Sequence, residues 1–151
     1  MTRENADDMP APVQWEKSGS PSEALVQALR DGLTAYNIER GRVDEQLTAG
    51  IFVRDAAGRL IGGIYGVIWG SALEIKYLWV DAEWRGQGIG SRLLAEMEEE
   101  GRRHGCEWAH LNTYSFQAPA FYQRWGYEPV CAIADGFPPG VARIFLKKRL
   151  T

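Results

Sequence analysis

Between residues 73 and 104 the chain runs from an almost unbroken series of large and β-branched side chains, through a turn with three alternate glycines, into a helical pattern. Leu73 to Val80 (LEIKYLWV) predicts a strand of the kind found at the centre of a sheet. From Gly88 to about His104, Ile89, Leu93, Leu94 and Met97 share one side of a helix, and Glu98, Glu99 and Arg102 take the other. Gly105 is placed to stop it. In the intervening Trp84-Arg85-Gly86-Gln87-Gly88-Ile89-Gly90, glycines free the backbone N–H groups and clear the way for a close approach. A helix start also presents unpaired donors and a partial positive charge. Together they suit an anion such as a pyrophosphate, to which Arg85 can add a charged contact. The P-loop needs a Gly-Lys pair that is lacking here, and the spacing is GxGxG where a dinucleotide fingerprint has GxGxxG. On the glycines alone, a plain turn is as good a reading.

The remaining pattern predicts a mixed α/β domain. A short strand is expected around Val13 to Trp15, after a polar, flexible arm at residues 1–11. A helix starts at Ser20-Pro21-Ser22-Glu23 and runs through Leu25, Leu29, Leu33 and Tyr36 to about Ile38. Ile51–Asp55 and Arg59–Trp69 read as a hairpin, with Gly62, Gly63 and Gly66 marking bulges or a close approach. After the central strand and helix come a strand at Glu107–Thr113, a short helix at Phe116–Trp125, and strands at Tyr127–Ala132 and Arg143–Lys148. Residues 12–151 are expected to form a single domain.

The 151 residues carry a net charge of −3, which gives nucleic acid no advantage as a partner. The longest apolar stretch, Leu60–Trp69, is too short to span a bilayer. With no secretory signal, the cytoplasm is the expected location and Cys106 and Cys131 are expected as free thiols; neither belongs to a CxxC pair, so no metal site is expected.

Arg85-x-x-Gly88-x-Gly90, following a strand that ends in Val80-Asp81, resembles the R/Q-x-x-G-x-G/A motif of the GNAT superfamily of N-acetyltransferases. The segment Asn112 to Tyr127 (NTYSFQAPAFYQRWGY) is similar to that family's second signature, with Ala118, Phe121, Tyr122, Gly126 and Tyr127 at the matching positions. The resemblance covers roughly residue 51 to the end. It implies the GNAT α/β fold with a mixed sheet, whose central strands, here Leu73–Val80 and Glu107–Thr113, splay to admit the pantetheine arm of acetyl-coenzyme A. It implies coenzyme contacts from Leu78, Trp79 and Val80, from Arg85 to Ser91 (including Gly86, Gln87, Gly88, Ile89 and Gly90), and from Asn112, Ser115, Ala118 and Tyr122. The N–H of Leu78 or Trp79 is the expected support for the thioester oxygen. Ser115 stands where many members carry Asn.

The reaction so implied is direct attack of an amine on a thioester, which needs a proton acceptor and a donor to the leaving thiolate. Tyr122 matches the family's donor; apart from function it reads as a helix residue packing its ring. Glu74 lies where histone-acetylating members carry a catalytic glutamate. Strand periodicity would put Glu74, Lys76, Leu78 and Val80 on one face, and a salt bridge to Lys76 is an equally good account of Glu74. His110 is a further base candidate through water, although a lone strand histidine is more often structural. Tyr36, Tyr65, Trp69, Lys76 and Asp135 are the candidate acceptor contacts; core or edge packing explains the aromatics equally well. The expected partner is a small-molecule amine, and an available strand edge is compatible with a homodimer. A protein lysine or N-terminal acetyltransferase and a non-catalytic acyl-coenzyme-A-binding module are the alternatives.

Overall fold

The computed structural model describes residues 13–41 and 46–151; the expected arm at 1–11 lies outside them. The chain divides into two units, residues 1–43 and 44–151. In the first, α1 spans Glu23–Glu39. Its N-cap is Ser22, two residues beyond the first serine of the start signal; the Ser22 hydroxyl accepts from the N–H of Leu25 at 3.3 Å. The strand expected at Val13–Trp15 does not form. Three residues ahead of the charged Glu16-Lys17 pair offer little alternation, and no strand of this unit is present among the described residues to take their ladder bonds.

The second unit is a six-stranded sheet with two helices. Its elements are β1 (Leu47–Arg54), β2 (Leu60–Trp69), β3 (Ala72–Val80), a 3-10 turn (Ala82–Trp84), α2 (Ile89–Arg103), β4 (Trp108–Tyr114), α3 (Pro119–Arg124), β5 (Glu128–Ile133) and β6 (Arg143–Arg149). The spatial order is β1-β2-β3-β4-β6-β5. All neighbours are antiparallel except β3 and β4, whose parallel ladder holds only Ala72–Glu74 against Trp108–His110. Beyond those three pairs the two central strands are no longer hydrogen-bonded to each other.

The core lies between this sheet and α2. Leu93, Leu94 and Met97, the expected inward stripe, are buried against Ile64, Ile68, Leu73, Ile75, Ala109, Leu111 and Leu146. Gly66 is needed where α2 crosses β2. A Cβ there would stand 3.0 Å from a Leu73 methyl and 3.2 Å from the Met97 sulfur. Gly63 instead lies under the Phe52 ring, which a Cβ would meet at 2.9 Å.

Two expectations about facing need correction. Glu98 is 4% exposed and does not share the solvent side with Glu99. The ammonium of Lys148, on β6, donates to both its carboxylate oxygens at 3.0 and 2.8 Å, and that pairing makes the burial tolerable. On β3 the strict alternation fails. Tyr65 pairs with Tyr77 and Gly66 with Ile75, so Lys76 is an extra, unpaired residue in a β-bulge. Leu73 and Ile75 before the bulge, and Leu78 and Val80 after it, all pack on the core side. Glu74 is therefore on the face opposite Leu78 and Val80.

The second signature region is more local than expected. Residues 116–118 are a turn rather than helix, because the Gln117 side chain folds back to accept from the Thr113 hydroxyl at 3.0 Å and the Tyr114 N–H at 2.8 Å. Helix α3 then ends with Gly126 in the left-handed region at φ +89. The Gly126 N–H bonds Gln123 O, and the Tyr127 N–H bonds Tyr122 O, each at 3.1 Å. This is a Schellman closure, and it brings the side chains of Tyr122 and Tyr127 together.

Candidate active site

Where β3 and β4 part, a cleft of about 970 Å³ opens between the β3 end, the glycine turn and α3. The turn is shaped by backbone that other residues resist: Gly86 has φ +75 and Gly88 φ +82. Gly88 is also the N-cap of α2, and no side chain caps the helix there. The first N–H groups of α2 thus end at the cleft without a side-chain partner, the arrangement an anion requires. Gly90 lines the same wall, and a Cβ there would stand 3.6 Å from the Phe121 ring and 3.7 Å from a Val80 methyl. The glycine keeps that space open.

Ten of the expected coenzyme residues line this cleft: Leu78, Val80, Arg85, Gly86, Gly88, Ile89, Gly90, Ser91, Ala118 and Tyr122. Arg85 is partly committed, its Nε donating to Val80 O at 3.0 Å and so tying the turn to the strand end. Ser91 donates to Gly88 O at 3.0 Å. Trp79 and Gln87 are absent from the lining. Asn112 and Ser115 are absent as well and hold the loop between β5 and β6. Asn112 Oδ1 accepts from Arg143 Nε at 2.9 Å, and Ser115 exchanges bonds with Ala142 at 2.8 and 3.0 Å. Trp84, Phe121, Arg124 and Trp125 also line the cleft; Phe121 is a signature position and Trp84 opens the glycine segment, but none of the four was among the expected coenzyme contacts. Phe121, Arg124 and Trp125 follow one another at helical spacing beside Tyr122, which is the signal that could have found them.

Tyr122 is half-buried in the cleft wall, its ring edge-on to Phe121 at 5.1 Å and to Tyr127 at 5.9 Å. Burial pushes its phenol above the ordinary value, so at neutral pH it holds its proton. Glu74 does not line the cleft; it pairs with Lys76 at 2.9 Å and stands opposite His110 in the parallel ladder. Tyr65 stacks on Tyr77 at 6.1 Å, Trp69 is exposed at the end of β2, and Asp135 lies between β5 and β6. None of these three, nor Lys76, lines the cleft. Tyr36, in the first unit, carries Arg40 over its ring at 4.8 Å.

A sheet that parts at its centre, beside an uncapped helix start and a wall tyrosine that keeps its proton, is the layout of an acyl-coenzyme-A-dependent transferase. The pattern of the acetyltransferase (GNAT) domain matches residues 48–129. The chain is similar to a blasticidin-S acetyltransferase of Streptomyces morookaense, 45% identical over 62% of this chain and 68% of that one. It is also similar to an acetyltransferase of Agrobacterium fabrum, 32% identical over 82% of this chain and 89% of that one. A crystal structure of an acetyltransferase from Bacillus cereus superposes with a TM-score of 0.74 at 28% identity, over 89% of this chain and 97% of the other. The chain belongs to the GNAT acetyltransferase family. It is an N-acetyltransferase that takes its acetyl group from acetyl-coenzyme A. Among the described residues no helix is long and apolar enough to cross a membrane.

Proposed function

We propose that this enzyme acetylates a primary amine on a small molecule of the blasticidin-S kind. The observation that carries the reading is the 45% identity to a blasticidin-S acetyltransferase. The resident chemistry supports it. Acetyl-coenzyme A supplies an activated acetyl thioester. The α2 start and the Gly86–Gly90 backbone hold its pyrophosphate, and the free edge of β3 at Leu78–Val80 receives its amide-bearing arm as an added strand would be received. An N–H of Leu78 or Trp79 steadies the thioester oxygen as charge gathers on it. Tyr122 gives its proton to the departing sulfur.

Glu74 is assigned the acceptor side. It sits at the last paired position of the β3–β4 ladder, on the face away from Leu78 and Val80. An amine approaching through the gap from that face has Glu74 as its proton acceptor, directly or through water, and Lys76, Tyr65 and Trp69 as neighbours. The test is a thiol-release screen with acetyl-coenzyme A against blasticidin S, simple primary amines and lysine- or N-terminus-bearing peptides. Turnover at least about tenfold faster with blasticidin S than with the others, a gap of some 1.4 kcal/mol in the barrier, is the expected result. Preference for a peptide would replace this reading with a protein acetyltransferase.

A further inference from the structure

Of the lysine and arginine side chains among the described residues, all but Lys148 and Arg143 are exposed. These two stand on β6 at positions of opposite parity and so on opposite faces of the sheet. Lys148, on the core side, is neutralised by the Glu98 carboxylate at 3.0 and 2.8 Å. Arg143 forms no ion pair with any carboxylate among the described residues. A guanidinium keeps its charge at every working pH, and a half-buried one without a counter-ion is a position that an anion would stabilise.

The surroundings hold that cation in a fixed pose. Asn112 Oδ1 accepts from Arg143 Nε at 2.9 Å, and the guanidinium lies over the Phe145 ring at 5.4 Å. The terminal nitrogens, Nη1 and Nη2, have no acceptor among the described residues. With Nε occupied, they form the end of the fork that holds a carboxylate by two parallel bonds. Beside Arg143 in the β4–β6 ladder stands Tyr114. Phe116 stacks on Tyr114, with centroids 5.7 Å apart and planes 3° apart, and Phe137 meets it edge-on at 5.5 Å. Phe116 is 70% exposed, so a flat apolar surface is spread in water close to an unpaired cation.

Ala109 and Leu111 enter the core, so Asn112 and Tyr114 share with His110 the face of β4 away from α2. His110 stands opposite Glu74 in the last ladder pair between β3 and β4. Tyr114 comes four residues after His110, as Leu78 comes four after Glu74. The Tyr114–Arg143 pair therefore lies on the β4 bank of the gap, on the face from which the acceptor amine approaches.

We propose that Arg143 and the Tyr114–Phe116 stack form an acceptor subsite, whose ligand is an amine that also carries a carboxylate and a flat unsaturated ring. This rests on the reading of the enzyme as a small-molecule acetyltransferase and names the class of its substrate. The carboxylate takes the two terminal nitrogens of Arg143, the ring lies against Phe116, and the amine is left to reach the gap. The acetyl transfer itself is unchanged.

The experiment uses the full chain with acetyl-coenzyme A. The acceptors are para-aminomethylbenzoate, para-aminomethylbenzamide, and the cyclohexane counterpart of the acid, with blasticidin S and a lysine-bearing peptide in parallel. The kcat/KM of the acid is expected to exceed that of the amide about tenfold to a hundredfold, the worth of a charge-assisted pair. It should exceed that of the cyclohexane acid by about threefold or more. Arg143→Gln should bring the acid-to-amide ratio to about one. Arg143→Lys should keep part of it, because the charge stays and the fork is lost. Phe116→Leu should erase the preference for the flat ring, and added salt should shrink the preference for the acid. If Arg143→Gln fails to fold, Arg143→Lys and the salt series decide. Acid and amide handled alike by the unaltered enzyme, whether well or not at all, would overturn the inference. An acid preference that survives Arg143→Gln would overturn it too, since the carboxylate then binds elsewhere. In both cases turnover of blasticidin S leaves the small-molecule reading standing. Preference for the peptide over blasticidin S and every small amine would sink that reading, and this inference with it.

Discussion

From Ala72 to Glu74, β3 is paired on both sides, with β2 and with β4; Ile75 and, past the unpaired Lys76, Tyr77 to Val80 pair with β2 alone. The side chains on the core side of the two stretches are alike, Leu73 in the first and Ile75, Leu78 and Val80 in the second. What differs is the backbone. In the first stretch every edge is taken and the residues serve stability. In the second an edge is left over, and it faces a cleft lined by groups that suit an anion and a thioester. The bulge at Lys76 falls two residues past the last doubly paired position.

Breaking the open side has the largest expected effect. Tyr122→Phe should lower kcat about a hundredfold or more, the usual weight of a general acid, with little change in the KM for acetyl-coenzyme A. If Tyr122 is the proton donor, loss of its proton should end activity at high pH in the unaltered enzyme. Burial raises that phenol, so the alkaline limb belongs above the ordinary phenol value of about 10, and Tyr122→Phe should abolish it. On the closed side, Leu73 is fully buried, and Leu73→Ala should cost about 2–5 kcal/mol by denaturant unfolding while leaving acetyl-coenzyme A affinity intact. Gly88→Ala sharpens the contrast with the smallest effect on stability. The left-handed backbone there costs a non-glycine residue about 1–2 kcal/mol, and calorimetry should show weaker acetyl-coenzyme A binding out of proportion to that loss.

Local patterns carried most of the fold. The β3–turn–α2 unit was legible because a continuous apolar strand, alternate glycines and a helical stripe each have a distinct period. What escaped depended on distant partners. Glu74-Ile75-Lys76-Tyr77 alternates polar and apolar like any strand, and only the β2 residues opposite make Lys76 a bulge. Glu98 reads as a surface residue until Lys148, fifty positions later, is brought to it. Asn112 and Ser115 carry the right chemistry for a ligand, yet Arg143 and Ala142 engage them first. The cleft wall at Phe121, Arg124 and Trp125 was readable in part, since their spacing puts them beside Tyr122 on α3.

Three ladder pairs are all that stitch β1, β2 and β3 to β4, β6 and β5. The sheet is in effect two panels joined along a short seam, with α2 as backing. A ligand arm laid into the unstitched length would complete that seam. Loading the enzyme with its acetyl donor would then do more than deliver a reactant: it would fasten the panels together, and release of the spent carrier would loosen them again.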